Sequence, residues 1–152
     1  MNIQQFLNEQ GIEYESLPHR TTYTASRLAD TLHEPGDYVA KTVVLKADGE
    51  YVLAVLPASY NLELELARSE IGCQHLALAH EEELTDLFPD CELGAIPPFG
   101  SLYGLQTWVD SRLAEDDHIV FEGQSHDEAL SMSYSGYEAA EDPRIADLSS
   151  HP

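Results

Sequence analysis

The stretch VAKTVVLKADGEYVLAV, residues 39–55, holds two apolar, β-branched runs on either side of Asp48-Gly49. Residues 39–46 are apolar on both faces, as a central strand requires. Asp-Gly between two such runs is a strong hairpin signal, and residues 51–56 form the returning strand. The chain has only two lysines, Lys41 and Lys46, and both fall here. Strand alternation puts Val39, Lys41, Val43 and Leu45 on one face and Ala40, Thr42, Val44 and Lys46 on the other. Lys46 lies beside the turn, where its head reaches water. Lys41 is mid-strand, and a charge among Val and Leu costs free energy unless compensated. It must snorkel, pair with a carboxylate, or face a cleft, where it could hold a phosphate or shift its pKa for chemistry.

Other elements extend outward from this hairpin. Asn2 is placed to cap a first helix carrying Ile3, Phe6 and Leu7, which Gly11 ends. IEYESL (12–17) alternates like a half-buried strand. TASRLADTLH (24–33) opens on a capping Thr24 and reads as a helix, broken by EPGD. Asn61 is expected to cap a helix running to about Ile71 through Leu62, Leu66 and Ala67. QHLALA (74–79) reads as a short strand and HEEELTDLF (80–88) as an acidic amphipathic helix. QTWVD (106–110), DHIVFEG (117–123) and EALSMS (128–133) read as strands, and YSGYEAA (134–140) as a last helix. The end from Glu141 onward reads as loose, with 149–152 a tail outside a domain spanning 1–148. Strands outnumber those of a plain βαβ pattern. The expected fold is therefore α+β, a single domain with a mixed, curved β-sheet and flanking helices.

The 152 residues carry 28 acids against seven basic residues, for a formal charge of −21. That balance argues against a broad phosphate-binding surface. It favours solubility at high salt, where screening relieves self-repulsion, and the composition resembles proteins of salt-adapted organisms. No run approaches the roughly 18 apolar residues of a membrane span. MNIQQFLNEQ lacks the basic start and apolar block of a signal peptide, so a cytoplasmic location is expected, without a membrane or DNA partner. Cys73 and Cys91 suit reduced, partly buried thiols. No histidine pair has zinc spacing, and no nucleophile-elbow serine or Gly-rich phosphate loop appears; neither metal nor cofactor is expected. Trp108 and Tyr103 suit the core, or the stacking of an adenine.

GAIPPFG (94–100) is the second unusual segment. Two consecutive prolines fix φ and remove two amide donors, and Gly94 and Gly100 permit backbone closed to other residues. The segment is either a stiff connection or the backbone wall of a small pocket for an uncharged group.

YVAKTVVLKADGEYVLAVLPA followed about forty residues later by GAIPPFG resembles the YbaK/prolyl-tRNA editing domain family. FLNEQGIEYESLPHRTTYTASRLAD resembles that family's opening and IVFEGQSHDEALSMSYSGYEAA its close, so the likeness runs over about residues 1–148. The resemblance implies a freestanding (trans-editing) aminoacyl-tRNA deacylase that hydrolyses a small amino acid, of Ala, Ser or Cys type, from mismatched tRNA. Lys41 then matches the strand lysine that engages phosphate or the terminal adenosine. Gly94 and Pro98 match the loop that sizes the pocket and orients the carbonyl, with Ala95, Ile96, Pro97, Phe99 and Gly100 completing it. His126 lies near a position that faces substrate in some members, and His19, beside Arg20, matches a histidine of the opening segment. The partners the resemblance implies are the tRNA acceptor end and an aminoacyl-tRNA synthetase. The implied chemistry needs no protein nucleophile: the terminal ribose hydroxyl helps activate water while the protein positions and stabilises. The acidic surface keeps a second reading open, a non-catalytic module binding a nucleotide or amino-acid-like ligand.

Overall fold

The computed structural model describes residues 2–22, 25–32 and 35–151. In chain order the elements are α1 (Ile3–Glu9), β1 (Glu15–Pro18), α2 (Ala25–Leu32), β2 (Ala40–Ala47), β3 (Glu50–Pro57), β4 (Asn61–Leu62), α3 (Leu64–Ile71) and β5 (Leu76–Leu78). There follow α4 (Glu81–Leu87), a 3-10 turn (Gly100–Tyr103), β6 (Gln106–Asp110), α5 (Ser111–Ala114), β7 (His118–Ser125), β8 (Glu128–Ser133), α6 (Tyr134–Glu141), β9 (Arg144–Ala146) and β10 (Ser149–Ser150).

The hairpin forms in the register its turn dictates, from Ala47 opposite Glu50 to Ala40 opposite Pro57. Asp48 and Gly49 both take positive φ, +49° and +86°, which matches the twist of the two strands. The Asp48 carboxylate also accepts the backbone N–H of His75 at 2.8 Å and of Gln74 at 3.1 Å. Those bonds draw its pKa below the usual carboxylate range and bring β5 alongside β2.

The result is a five-stranded mixed sheet, β5-β2-β3-β6-β9, in which β3, β6 and β9 run parallel. A three-stranded antiparallel sheet, β1-β8-β7, meets it through one parallel bridge, Val39 to Val120. One face of the large sheet packs Ala40, Val55 and Val109 against Phe99, Phe121 and Tyr137. The other packs Leu45, Ala54 and Leu56 against Ala67 of α3 and Leu148. α2 lays Leu28 and Ala29 over Val39, Val120 and Ala129, across the bridge. Asn2 caps α1 as expected, through a reciprocal pair of bonds with Gln5. Among the described residues no helix is long and apolar enough to cross a membrane. Thr24 and His33 lie outside the described residues.

Two expectations fail at the same place. Asn61 caps no helix: it pairs with Ser150 in a two-stranded ladder, and α3 starts at Leu64 behind Glu63, which makes no side-chain cap. The end of the chain is not loose. β9 extends the large sheet, β10 pairs with β4, and Ser149 is 4 % exposed. The cause is Asp110, whose fully buried carboxylate accepts the Leu148 N–H at 2.9 Å and the Ser149 hydroxyl at 2.7 Å. A buried carboxylate needs such donors, and here the final residues supply them.

Candidate functional site

The segment 94–100 is held at both ends. On its N-terminal side Glu92 N–H donates to the Gln124 carbonyl at 2.8 Å, and Gln124 N–H donates to Ala95 at 3.1 Å. The His126 ring donates through Nε2 to the Leu93 carbonyl at 2.5 Å. Gly94 has φ +85°, and a Cβ there would lie 3.4 Å from His126 Cε1, so the turn rests against the imidazole. On the C-terminal side the Tyr137 hydroxyl donates to the Pro98 carbonyl at 2.8 Å. Gly100 N–H donates to Thr107 Oγ1 at 2.9 Å, and that hydroxyl donates to Glu141 at 2.6 Å. Glu141 also accepts Ser101 N–H at 3.1 Å. A Cβ on Gly100 would fall 2.6 Å from Leu105 O and Thr107 Oγ1, a space only glycine fits. With two prolines between these anchors, the loop is a preformed wall.

Lys41 stands on β2 one residue past the start of the ladder, opposite Leu56. Burial holds its pKa below the ordinary lysine value. No hydrogen bond or ion pair among the described residues compensates it. Lys46 differs: it pairs with Glu83 at 3.4 Å and lies over the Tyr51 ring. Its environment accounts for it without a ligand, whereas the half-buried Lys41 has no hydrogen-bond or ion-pair partner among the described residues.

The Val39–Val120 bridge defines where the second wall stands. Both valines sit under α2, so they share a side of the junction. Alternation puts Lys41 on the Val39 face of β2 and Glu122 on the Val120 face of β7, and beyond the bridge the two strands belong to separate sheets. Glu122 is 8 % exposed, and neither of its carboxyl oxygens makes a hydrogen bond. Burial first, then the charges of Glu92 and Asp127, push its pKa up to about 8. Its nearest polar neighbour is His126 Nδ1 at 3.7 Å. The opening segment closes over this corner. His19 N–H donates to Asp127 O at 3.0 Å and Thr22 N–H to His126 O at 2.9 Å. The His19 ring donates through Nδ1 to Arg20 O at 2.5 Å. That leaves His19 Nε2, with Thr22 Oγ1, buried and without a hydrogen-bond partner.

The structure thus gathers Gly94, His126 and His19 at the β7–β8 turn, with Ala95 tied to β7. Phe99 and Gly100, expected to line a pocket, are turned away from it. Phe99 is fully buried with its ring centroid 5.1 Å from that of Tyr137 and 5.7 Å from those of Phe6 and Phe121. Ile96 likewise packs with Val44, Leu53 and Phe88. These residues hold the loop down. Pro97 and Pro98 are buried and Arg20 is exposed. Tyr103 packs on Phe88, while Trp108 takes the Arg144 guanidinium over its ring. Sequence reasoning missed Glu122. It interrupts IVFEG much as Lys41 interrupts VAKTVV, and the same test of a charge inside an apolar strand would have marked it.

Comparison with known proteins places this geometry. The sequence profile of the aminoacyl-tRNA editing domain matches residues 19–139. The proline–tRNA ligase of Staphylococcus aureus (strain Newman) is 33 % identical over 64 residues, 42 % of this chain and 11 % of the ligase. The chain therefore spans about a tenth of the length of that relative. Among solved structures, a hypothetical protein superposes with a TM-score of 0.88 at 20 % identity, covering 97 % of this chain and 99 % of the other. A proposed trans-editing enzyme for prolyl tRNA synthetase superposes with a TM-score of 0.83 at 22 % identity, covering 97 % and 94 %. At these identities the two structures establish the shared fold.

Proposed function

The chain belongs to the aminoacyl-tRNA editing domain family, and from that premise we propose that it hydrolyses mischarged aminoacyl-tRNA, acting in trans on a small amino acid of Ala, Ser or Cys type. The observation that carries the reading is Lys41, a partly desolvated ammonium with no hydrogen-bond or ion-pair partner among the described residues, on β2, the strand whose other face packs against the rigid loop. A phosphate at the tRNA 3′ end supplies the missing counter-charge. The loop backbone, fixed by Tyr137, Gln124 and His126, orients the aminoacyl carbonyl and limits the side chain admitted. Water attacks the carbonyl carbon, the ester bond to the ribose oxygen breaks, and that oxygen takes a proton. The neighbouring ribose hydroxyl assists in activating the water. Both the S. aureus ligase and the trans-editing neighbour are named for prolyl-tRNA chemistry, which makes a proline tRNA carrying alanine the first substrate to try.

One observation favours a second reading. With a charge of −21 the surface repels a polyanion, and a fold that has lost tRNA would bind a small ligand in the same place. Deacylation of Ala-, Ser- and Cys-charged tRNAs at low and at molar potassium chloride, with Lys41→Ala in parallel, separates the two. Hydrolysis of one ester, lost in the variant, is the expected result. Silence at both salts, with binding of a small aminoacyl-adenosine analogue intact, would leave the binding module.

A further inference from the structure

We propose that Glu122 receives the α-ammonium group of the aminoacyl moiety, and so makes the site selective for esters of free, unblocked amino acids. This deepens the editing reading and rests on it. The inference starts from a buried carboxyl without a hydrogen bond, at the corner where the loop, His126 and the opening segment meet. Glu122 lies two residues beyond the Val39–Val120 bridge; its carboxyl makes no hydrogen bond, and His126 Nδ1 faces it at 3.7 Å. The end of an aminoacyl-tRNA carries the complementary charge, an ammonium beside the carbonyl. A buried carboxyl without a hydrogen bond is costly to the fold.

His126 faces Glu122 at 3.7 Å, within ion-pair distance when the imidazole is protonated and beyond hydrogen-bond distance, and its Nε2 donates to Leu93. Glu92 and Asp127 repel a charge on Glu122 and favour its neutral form. The nearby His19 Nε2 and Thr22 Oγ1 offer further polar atoms without partners, on the segment that covers the same corner. With a pKa of about 8, Glu122 holds a proton at neutral pH. An arriving ammonium favours the ionised form, and the displaced proton leaves to water.

The test uses the full chain and two non-hydrolysable probes, 3′-deoxy-3′-(L-alanylamino)adenosine and its N-acetyl counterpart. Wild type should bind the free amine about tenfold or more tightly over the blocked one, as a charge-assisted contact implies. Glu122→Gln should bring the ratio near one without weakening the blocked probe. In wild type, carboxyl carbon NMR at pH 7 should show Glu122 ionising with the free amine and not with the blocked probe, a readout that needs no variant. A ratio unchanged by Glu122→Gln, or a carboxyl signal unmoved at saturation, overturns the assignment. So does a fall in kcat with discrimination intact, which points to proton transfer instead. Hydrolysis of alanyl-tRNA with discrimination independent of Glu122 overturns this inference and leaves editing standing. Glu122-dependent binding without hydrolysis of any ester does the reverse.

Discussion

The Tyr137 hydroxyl, on a fully buried ring of α6, donates a 2.8 Å hydrogen bond to the carbonyl of Pro98, in the loop 39 residues earlier. Proline cannot donate, so the loop depends on such partners for its carbonyls. Tyr137→Phe keeps the ring and removes the donor, leaving the Pro98 carbonyl buried. A loss of about 1–3 kcal/mol is expected by chemical denaturation, with a lower deacylation kcat. Unchanged stability would mean that Pro98 finds another donor.

Gly100 should tolerate no side chain. A Cβ would meet Leu105 O and Thr107 Oγ1 at 2.6 Å, and the first is backbone. Gly100→Ala is expected to destabilise by about 1–3 kcal/mol, the usual cost of overpacking. Gly49→Ala is a useful contrast: space is open there, and its penalty comes from φ +86° alone. A thermal melt of each variant reads the difference.

Lys41→Ala should abolish ester hydrolysis and leave the fold as stable as before, or more so. The ammonium is partly desolvated and has no partner, so removing it sacrifices no internal interaction. A large drop in the denaturation midpoint would show that Lys41 serves the fold.

Glu122 should make stability fall as pH rises. Its folded pKa, about 8, lies above the ordinary value of 4.5. Between those values the folded chain binds more protons than the unfolded one, so each step up in pH favours unfolding. The effect is absent below about pH 4.5 and complete above about pH 8. Glu122→Gln should therefore match wild type near pH 5 and exceed it near pH 9 in urea denaturation. Parallel curves across that range would remove the buried, neutral carboxyl from the description.

Asp110→Ala should release the end of the chain. The carboxylate accepts Leu148 N–H and Ser149 Oγ, and its other oxygen accepts Arg112 N–H at 2.9 Å. Each buried donor left without a partner costs about 1–3 kcal/mol. Limited proteolysis should cut the variant between residues 144 and 150, where wild type resists.

The hairpin was legible because every signal for it is local: β-branched runs, strand alternation and an Asp-Gly turn. The position of Lys41 was legible for the same reason, as a charge that its strand does not explain. The GAIPPFG segment announced its stiffness through its prolines, yet which of its residues face outward was not written there. Phe99 looks like a pocket residue in sequence and is a core residue in space, because Phe6, Phe121 and Tyr137 arrive from three other elements.

The last twelve residues show the boundary most plainly. Polar, short of hydrophobic periodicity and next to the terminus, they carry no local reason to be ordered. Asp110, some 38 residues away, gives them one by lending a buried carboxylate to their donors. Glu122 belongs to the same class, since its surroundings (His126, Glu92 and Asp127) are brought together only by the fold. Periodicity and turn chemistry fix strands, helices and hairpins, because those depend on neighbours in the chain. Which charges are buried without partners, and which segments are tied down, depends on contacts between distant segments, and only the folded chain brings those together.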